Sequence, residues 1–516
     1  MAVESPANST GMRPTLGLTG VTVNAMALIA PGAFLWITLQ VQAAQTVPGG
    51  TASTALDMWP GIVFALVLAF FTALSYSELA RVYPEAGTAS AYYFAEKAFM
   101  DKEESRHHRW GRLAKLATGW AAHLFYWVYP GVMVAFMAIL IQYLLGQFGL
   151  NIGTVPEMVI AVLFAVLVGY IAYRGVSGST MTSLIINVIQ LTALVLFSVG
   201  AIWYRLANPD HTEFVWPSAS AVLFPKDLLN TLMQATIAIL ILVGFESCTA
   251  FAAEAKNPKR DVPRAVIIAL VIQGLFAYLI EYFAANYSIG QTLAGTDANN
   301  NPVTGLDAVA ASGAPMGDLI QVIGNSLGGI GFGLMVITAI TVALAILGTT
   351  LSAMNTGVRI TFAMAQDAEM PEPLGLLHGG FLTPHMAVVA MVVVSAVIGV
   401  IGVISVVTLT GITLASNFGT FVLYGLTCLW TIIAFASRPD FNFVKHLLIP
   451  GLGLLANVLL LVVILGVGFI GGGDSQTESL MAIGIAALWL IASVAYIVVN
   501  NRRTGRSLVA APKGAS

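Results

Sequence analysis

Twelve apolar runs in this chain are each long enough to cross a bilayer, and that repetition removes nearly every water-soluble fold from consideration. A helix needs roughly 20 apolar residues to traverse the hydrocarbon core. The runs lie near 17–43, 59–80, 117–145, 156–174, 182–204, 229–255, 264–287, 329–357, 385–408, 411–436, 447–470 and 479–499. With 58% hydrophobic and 9% charged residues, a soluble globule would lack the polar surface to cover itself. The expected product is an all-α integral membrane protein of twelve transmembrane helices, with the lipid bilayer as its surroundings.

Lysine and arginine set the orientation. With the N-terminus inside, 20 of the 22 basic residues fall on the inner side and only Arg205 and Lys226 outside. Both termini are therefore expected in the cytoplasm, as tails 1–15 and 501–516, with the chain in the plasma membrane. The net charge of -3 and the absence of a clustered basic patch argue against a nucleic-acid partner. Cys248 and Cys428 both sit inside apolar runs and read as small buried hydrophobes rather than a disulfide or a metal pair. The first run is too long for the apolar core of a signal peptide.

Inside this frame one stretch stands out, Leu242 to Ala265. It sets a lone carboxylate, Glu246, directly after Gly244 and Phe245. A carboxylate at membrane depth marks an ion, proton or substrate pathway by default. The neighbouring glycine lets the helix unwind, and irregular backbone survives at that depth only where protein walls a cavity. The plainer alternative is a carboxyl bonded to nearby backbone to hold the break. The first run has its own interruption, Pro31-Gly32 within Met26 to Phe34. Alone it reads equally well as a proline kink. As the first span matched to the sixth, it points to a transporter built on two inverted five-span repeats, about 16–205 and 228–440. These form a core over 16–440, with spans 11 and 12 (441–500) appended.

Elsewhere the sequence is plainer. Glu78 to Phe99 is too polar to cross and reads as an amphipathic inner-face element, with Glu78 and Arg81 spaced to pair on one helix face. The outer loop from about Ser288 to Met316 carries turn formers and no basic residue. Glu281, near the outer end of span seven where water is close, is given no role.

Several ordered motifs carry a resemblance. GFES at Gly244–Ser247 followed by EAKNPKRDVPRA, YPEAGTASAYYFAEKAF, GWAAHLFYW at Gly119–Trp127, NTGVRITFAMAQDAEMPEPLG and the later TPH at Thr383–His385 are similar in kind and order to the amino acid-polyamine-organocation superfamily of permeases, over roughly residues 16 to 440. The resemblance implies the LeuT-type 5+5 fold with helices 1 and 6 discontinuous. It also implies a substrate site without a cofactor or a metal centre. The span-one turn, Ala30, Pro31, Gly32 and Ala33, would offer backbone N–H groups to a substrate carboxylate, as an unpaired helix start can. Pro31 has no N–H, so one expected donor is missing. Carbonyls of Val243, Gly244 and Phe245 would meet an ammonium, with Phe245 over the aliphatic part.

Glu246 resembles the carboxylate of arginine/agmatine and putrescine exchangers and is assigned proton coupling. Tyr126 resembles the family's cavity-facing tyrosine of span three. His123, one turn earlier, reads as a packing residue before a proton relay. Thr349, Thr350 and Ser352 offer hydroxyl oxygens to a sodium ion, since hard cations take oxygen ligands, although such hydroxyls also bond backbone. The expected activity is secondary transport of an amino acid by alternating access, coupled to H+ or to exchange, or possessing Na+ dependence through those hydroxyls. Amine or polyamine transport is the alternative, because of Pro31. A transporter-like nutrient sensor is a further one. An intramembrane enzyme would need paired catalytic groups, and a channel a repeated filter motif; neither is visible.

Overall fold

The computed structural model describes residues 15–30, 35–84, 91–100, 107–175, 180–208, 210–297, 299–381 and 383–504. In chain order the α-helices are α1 (Leu18–Ile29), α2 (Leu35–Ala44), α3 (Met58–Val82), α4 (Ala91–Met100), α5 (His107–Gln147), α6 (Thr154–Tyr173), α7 (Thr180–Ala207), α8 (Ala219–Leu223) and α9 (Leu228–Ala238). They continue as α10 (Pro258–Leu270), α11 (Leu279–Ser288), α12 (Gly305–Ala311), α13 (Pro315–Ser326), α14 (Gly331–Gln366), α15 (His385–Gly402), α16 (Val406–Phe435), α17 (Ile449–Ile470) and α18 (Gly473–Thr504). One antiparallel hairpin, β1 (Ala294–Thr296) with β2 (Pro302–Thr304), pairs Gly295 with Val303. Among the described residues, 11 helical segments are long and apolar enough to cross a membrane. The first apolar run is instead divided into the two shorter helices α1 and α2.

Burial orders these segments. In α5 89% of the apolar window is buried and in α18 only 11%, so α5 is the axis and α18 is peripheral. Helices α4, α6, α14, α15 and α16 all pack on α5. The exposed Leu488, Ile491 and Val494 of α18 form a face suited to lipid tails rather than water.

Two segments lose their helical ladder at depth, and polar side chains from other spans compensate. Helix α1 stops at Ile29, and Ala30 takes a left-handed φ of 45° while its N–H donates to the Met26 carbonyl. The last carbonyls of a helix have no partner within it, and in a bilayer no water is there to replace one. Here Gln273 donates to the Met26 carbonyl (2.9 Å). Thr349 donates to that of Leu28 (2.5 Å), and Tyr278 to those of Ile29 (3.0 Å) and Ala30 (2.7 Å). Gln273 and Tyr278 both belong to the π-helical stretch Val271–Tyr278 joining α10 to α11. Such wide turns are frequent at functional sites.

The second break follows α9. After a 3-10 turn at Ile239–Ile241, Gly244 adopts φ 122° and a 3-10 segment, Phe245–Glu254, begins. Asn417 of α16 donates to the Thr236 carbonyl (2.7 Å). A Cβ at 244 would lie 3.0 Å from the Ile29 nitrogen and 2.9 Å from its Cγ1, so the two breaks touch, and the glycine is required by conformation and by space. The chain entering α1 is joined to the exit of the 3-10 segment: Leu16 N–H donates to the Glu254 carbonyl and Lys256 N–H to that of Leu16.

At the end of the bundle where α14 finishes, Lys115 of α5 pairs with Glu96 of α4 (2.8 Å) and with Asp367 (2.9 Å). Tyr92 donates to Asp367 (3.0 Å) and Glu369 (2.7 Å). Burial, outweighing the Tyr92 bond and Lys115, pushes the Glu369 carboxyl up to about 7. The expected pair is present too, Arg81 Nη2 lying 2.7 Å from Glu78. At the opposite end the hairpin, α12 and α13 form a layer, and α12 and α13 pack on α2.

Candidate functional site

Glu246 is 2% exposed, and its carboxylate is held by neutral donors from three parts of the chain. Tyr126 of α5 donates to Oε1 (3.0 Å). Tyr424 of α16 donates to Oε2 (2.7 Å), and so does the Gly244 N–H (2.9 Å). The last bond exists because Gly244 turns its amide out of any helical ladder. Among the described residues no Lys or Arg pairs with Glu246. A buried carboxylate held by hydroxyls and amides is a group able to accept a proton or an organic ammonium without a prior partner to displace.

Two tyrosines and a phenylalanine build the wall beside it. The Phe245 and Tyr424 rings lie 5.3 Å apart, and Tyr76 of α3 meets both edge-on at 6.2 and 6.0 Å. A cavity reaches Glu246 between Tyr76, Tyr92, Tyr126, Ser247 and Thr356. Tyr92 therefore connects this cavity to the Lys115, Asp367 and Glu369 cluster at one end of the bundle. Hydroxyl, aromatic and carboxylate groups around one concavity suit a small zwitterion or amine, whose charge needs partners and whose carbon skeleton needs apolar contact.

The residues expected from sequence divide into groups. Tyr126 and Glu246 are brought together, and Gly244 is in the same constellation. Val243 is fully buried, and Phe245, also buried, packs on Tyr76 and Tyr424. The Gly244 carbonyl already accepts from Ser247, through its N–H (3.0 Å) and its hydroxyl (2.6 Å). Ala30 ends α1 with its carbonyl held by Tyr278, whereas Pro31, Gly32 and Ala33 lie outside the described residues. Of the three hydroxyls, Thr349 reaches the Leu28 carbonyl at the first break, and Thr350 bonds the Ile346 carbonyl of its own helix. Ser352 is half-buried on the same helix. His123 shares a hydrogen bond with Thr361 (3.0 Å) and meets Trp127 and Trp489, as a packing residue does. Both cysteines are buried and free.

Sequence reasoning missed Tyr424, Tyr278 and Gln273. Each is polar in an otherwise apolar span, which is a signal, but many spans carry such residues and nothing local says what they meet. It also placed Glu281 near water, whereas Glu281 is 1% exposed, with residues of α2, α7, α13 and α14 around it.

Apolar spans gathered around a buried carboxylate at touching chain breaks define a multi-pass membrane protein with a polar cavity in its interior. The chain belongs to the amino acid permease family, which it matches over residues 20–506. It is 29% identical over 370 residues to the branched-chain amino acid permease BcaP of Lactococcus lactis, covering 67% of this chain and 70% of the relative. It is 28% identical over 267 residues to the L-methionine/branched-chain amino acid exporter YjeH of Escherichia coli (51% of this chain, 54% of the relative). Against the low-affinity putrescine importer PlaP of Escherichia coli it is 23% identical over 224 residues (43% and 45%).

Proposed function

We propose that this chain is a secondary active transporter that moves an amino acid across the plasma membrane by alternating access, with Glu246 as the group that couples transport to protons or to exchange. The observation that carries the reading is the buried Glu246 carboxylate, held by Tyr126 and Tyr424 from two other spans and open to a cavity. The amino acid permease family and relatives described as branched-chain amino acid permease and exporter support the substrate class. In this reading both termini are cytoplasmic, and the split first run counts as one span, giving twelve.

The core, 16–440, consists of two inverted five-span repeats of the LeuT type. The first comprises the pair α1 and α2 with α3, α5, α6 and α7. The second comprises α9 with its 3-10 continuation, α10 with α11, α14, α15 and α16. Helices α17 and α18 are additions. The two breaks occupy the first position of each repeat, and a substrate sits between them. Binding a substrate ammonium favours the ionised Glu246 and releases its proton, which is the elementary step of coupling. A sodium role would draw on the hydroxyl oxygens of Thr349, Thr350 and Ser352, since Thr349 and Thr350 keep lone pairs while donating to the Leu28 and Ile346 carbonyls.

An amine substrate is the second reading, favoured by the missing N–H of Pro31 and by the likeness to a putrescine importer. A thermal-stability panel on purified protein separates the two, testing common amino acids beside their decarboxylated amines. A ligand at ~100 times its dissociation constant adds roughly 2.7 kcal/mol. Stabilisation by amino acids and not by their amines supports the first reading; stabilisation by amines alone replaces it with the second. Uptake of the stabilising compound into proteoliposomes then tests transport itself, and binding without uptake would convert the assignment to a sensor.

A further inference from the structure

A second cavity lies apart from Glu246, on the side of the bundle carrying α12 and α13. It is lined by Trp36 of α2, Gln190 of α7, Glu281 of α11, Met316 of α13, and Thr338 and Thr341 of α14. Glu281 is 1% exposed and Gln190 5%. Glu281 Oε2 and Gln190 Oε1 are both buried atoms with no hydrogen-bond partner. The hydroxyls do not help, because Thr338 donates to the Leu334 carbonyl and Thr341 to that of Thr338 (2.7 Å each). Their oxygens keep lone pairs only. Every polar atom for which the cavity has an unmet need is therefore an acceptor, and the missing group is a donor or a cation.

The surrounding charges do not supply it. On the elements packed around α11, Arg205 of α7 donates to the Trp216 carbonyl (2.8 Å) and lies over the Phe214 and Tyr287 rings. Asp318 of α13 accepts from Tyr143 and Ser312, and Asp57, just before α3, accepts from the amides of Lys226 and Asp227. Tyr282, beside Glu281 on α11, is neutral and carries its own unmet hydroxyl. An ionised carboxylate left unpaired in such walls is strongly unfavourable.

The geometry points to a monovalent cation site between α2, α7, α11 and α14, in which Glu281 and Gln190 hold a single positive charge, either an alkali ion or a proton. Hydroxyl and amide oxygens with one carboxylate suit an alkali ion, which prefers oxygen ligands; a proton on Glu281 would satisfy the carboxyl by removing its charge. The site is distinct from Glu246 and stands whether or not the amino acid reading of that site does.

Thermal unfolding of the purified full chain tests it, with NaCl or KCl replacing choline chloride at constant ionic strength, at mildly acidic and mildly alkaline pH. With an alkali ion, the wild-type midpoint rises in sodium or potassium at alkaline pH, and Glu281→Gln loses that rise. With a proton, the wild-type midpoint falls from acid to alkaline pH irrespective of the salt, and Glu281→Gln shows a smaller fall. Identical salt and pH responses in the wild type and Glu281→Gln overturn the site. Should Glu281→Gln fail to fold, Gln190→Leu must shift the salt concentration or the pH at half response, and an unshifted one overturns the site equally. None of these readouts uses an amino acid, so failure here is distinguishable from failure of the transport assignment.

Discussion

Glu246 and Glu369 are both buried acids, and their partners give them different tasks. At Glu246 every donor is neutral and the cavity is adjacent, so the charge is free to respond to what enters. Replacing Glu246 by Gln keeps the shape and removes the titration. Folding should survive, and the pH dependence of uptake into proteoliposomes should vanish; a mutant with wild-type pH dependence would remove Glu246 from coupling. Glu369 sits beside Tyr92 in the closure at one end of the bundle, with its carboxyl raised from 4.5 to about 7 by burial. Between those values the folded chain holds more protons than the unfolded one, so stability falls as pH rises through the window. Glu369→Gln should flatten that fall and raise stability on the alkaline side by up to roughly 3 kcal/mol, read from thermal midpoints across pH. A steeper fall in the mutant would contradict the assignment.

At the scale of elements, the unwound end of α1 is held chiefly by the π-helical stretch 271–278. Tyr278 gives the freed carbonyls of Ile29 and Ala30 what a continuous helix would have given, and Gln273 adds a second donor at Met26. Gln273→Leu leaves the Met26 carbonyl with the Ala30 N–H alone and should cost about 0.5–1.5 kcal/mol, measurable as a lower thermal midpoint. A neutral substitution would mean the break is held by other contacts. These elements also show what was readable in advance. The break after α9 was visible because a glycine and a lone carboxylate adjoin in an apolar run, two local signals at one place. Its partners were not, because Tyr126 and Tyr424 stand 120 and 178 residues from Glu246 in sequence, and a tyrosine in a span carries no mark of what it faces. Glu281 was misplaced for a related reason, since position along a helix does not reveal the residues of α2, α7, α13 and α14 that surround it.

For the whole molecule, apolar run length and the distribution of Lys and Arg carried most of the architecture, because both are imposed by the bilayer rather than by particular contacts. The orientation they imply is open to a direct test. Cys248 and Cys428 are fully buried, so the native background for thiol labelling should be low. A cysteine in place of Asn299, in the hairpin turn, should react with a membrane-impermeant maleimide on intact cells, and one in place of Ser437 only after lysis. The reverse pattern would invert the topology.

The contact between the two breaks has a genetic consequence. Gly244→Ala should abolish uptake, since the new methyl meets Ile29 and φ 122° is strained for any side chain. Trimming Ile29 or Leu28 would clear the side-chain atoms, yet the Ile29 backbone nitrogen at 3.0 Å and the unfavourable torsion would remain. In a selection for restored growth on the transported compound, intragenic suppressors at 28 and 29 should therefore be absent. True reversion to glycine should dominate the survivors, leaving this position almost without neutral paths through sequence space.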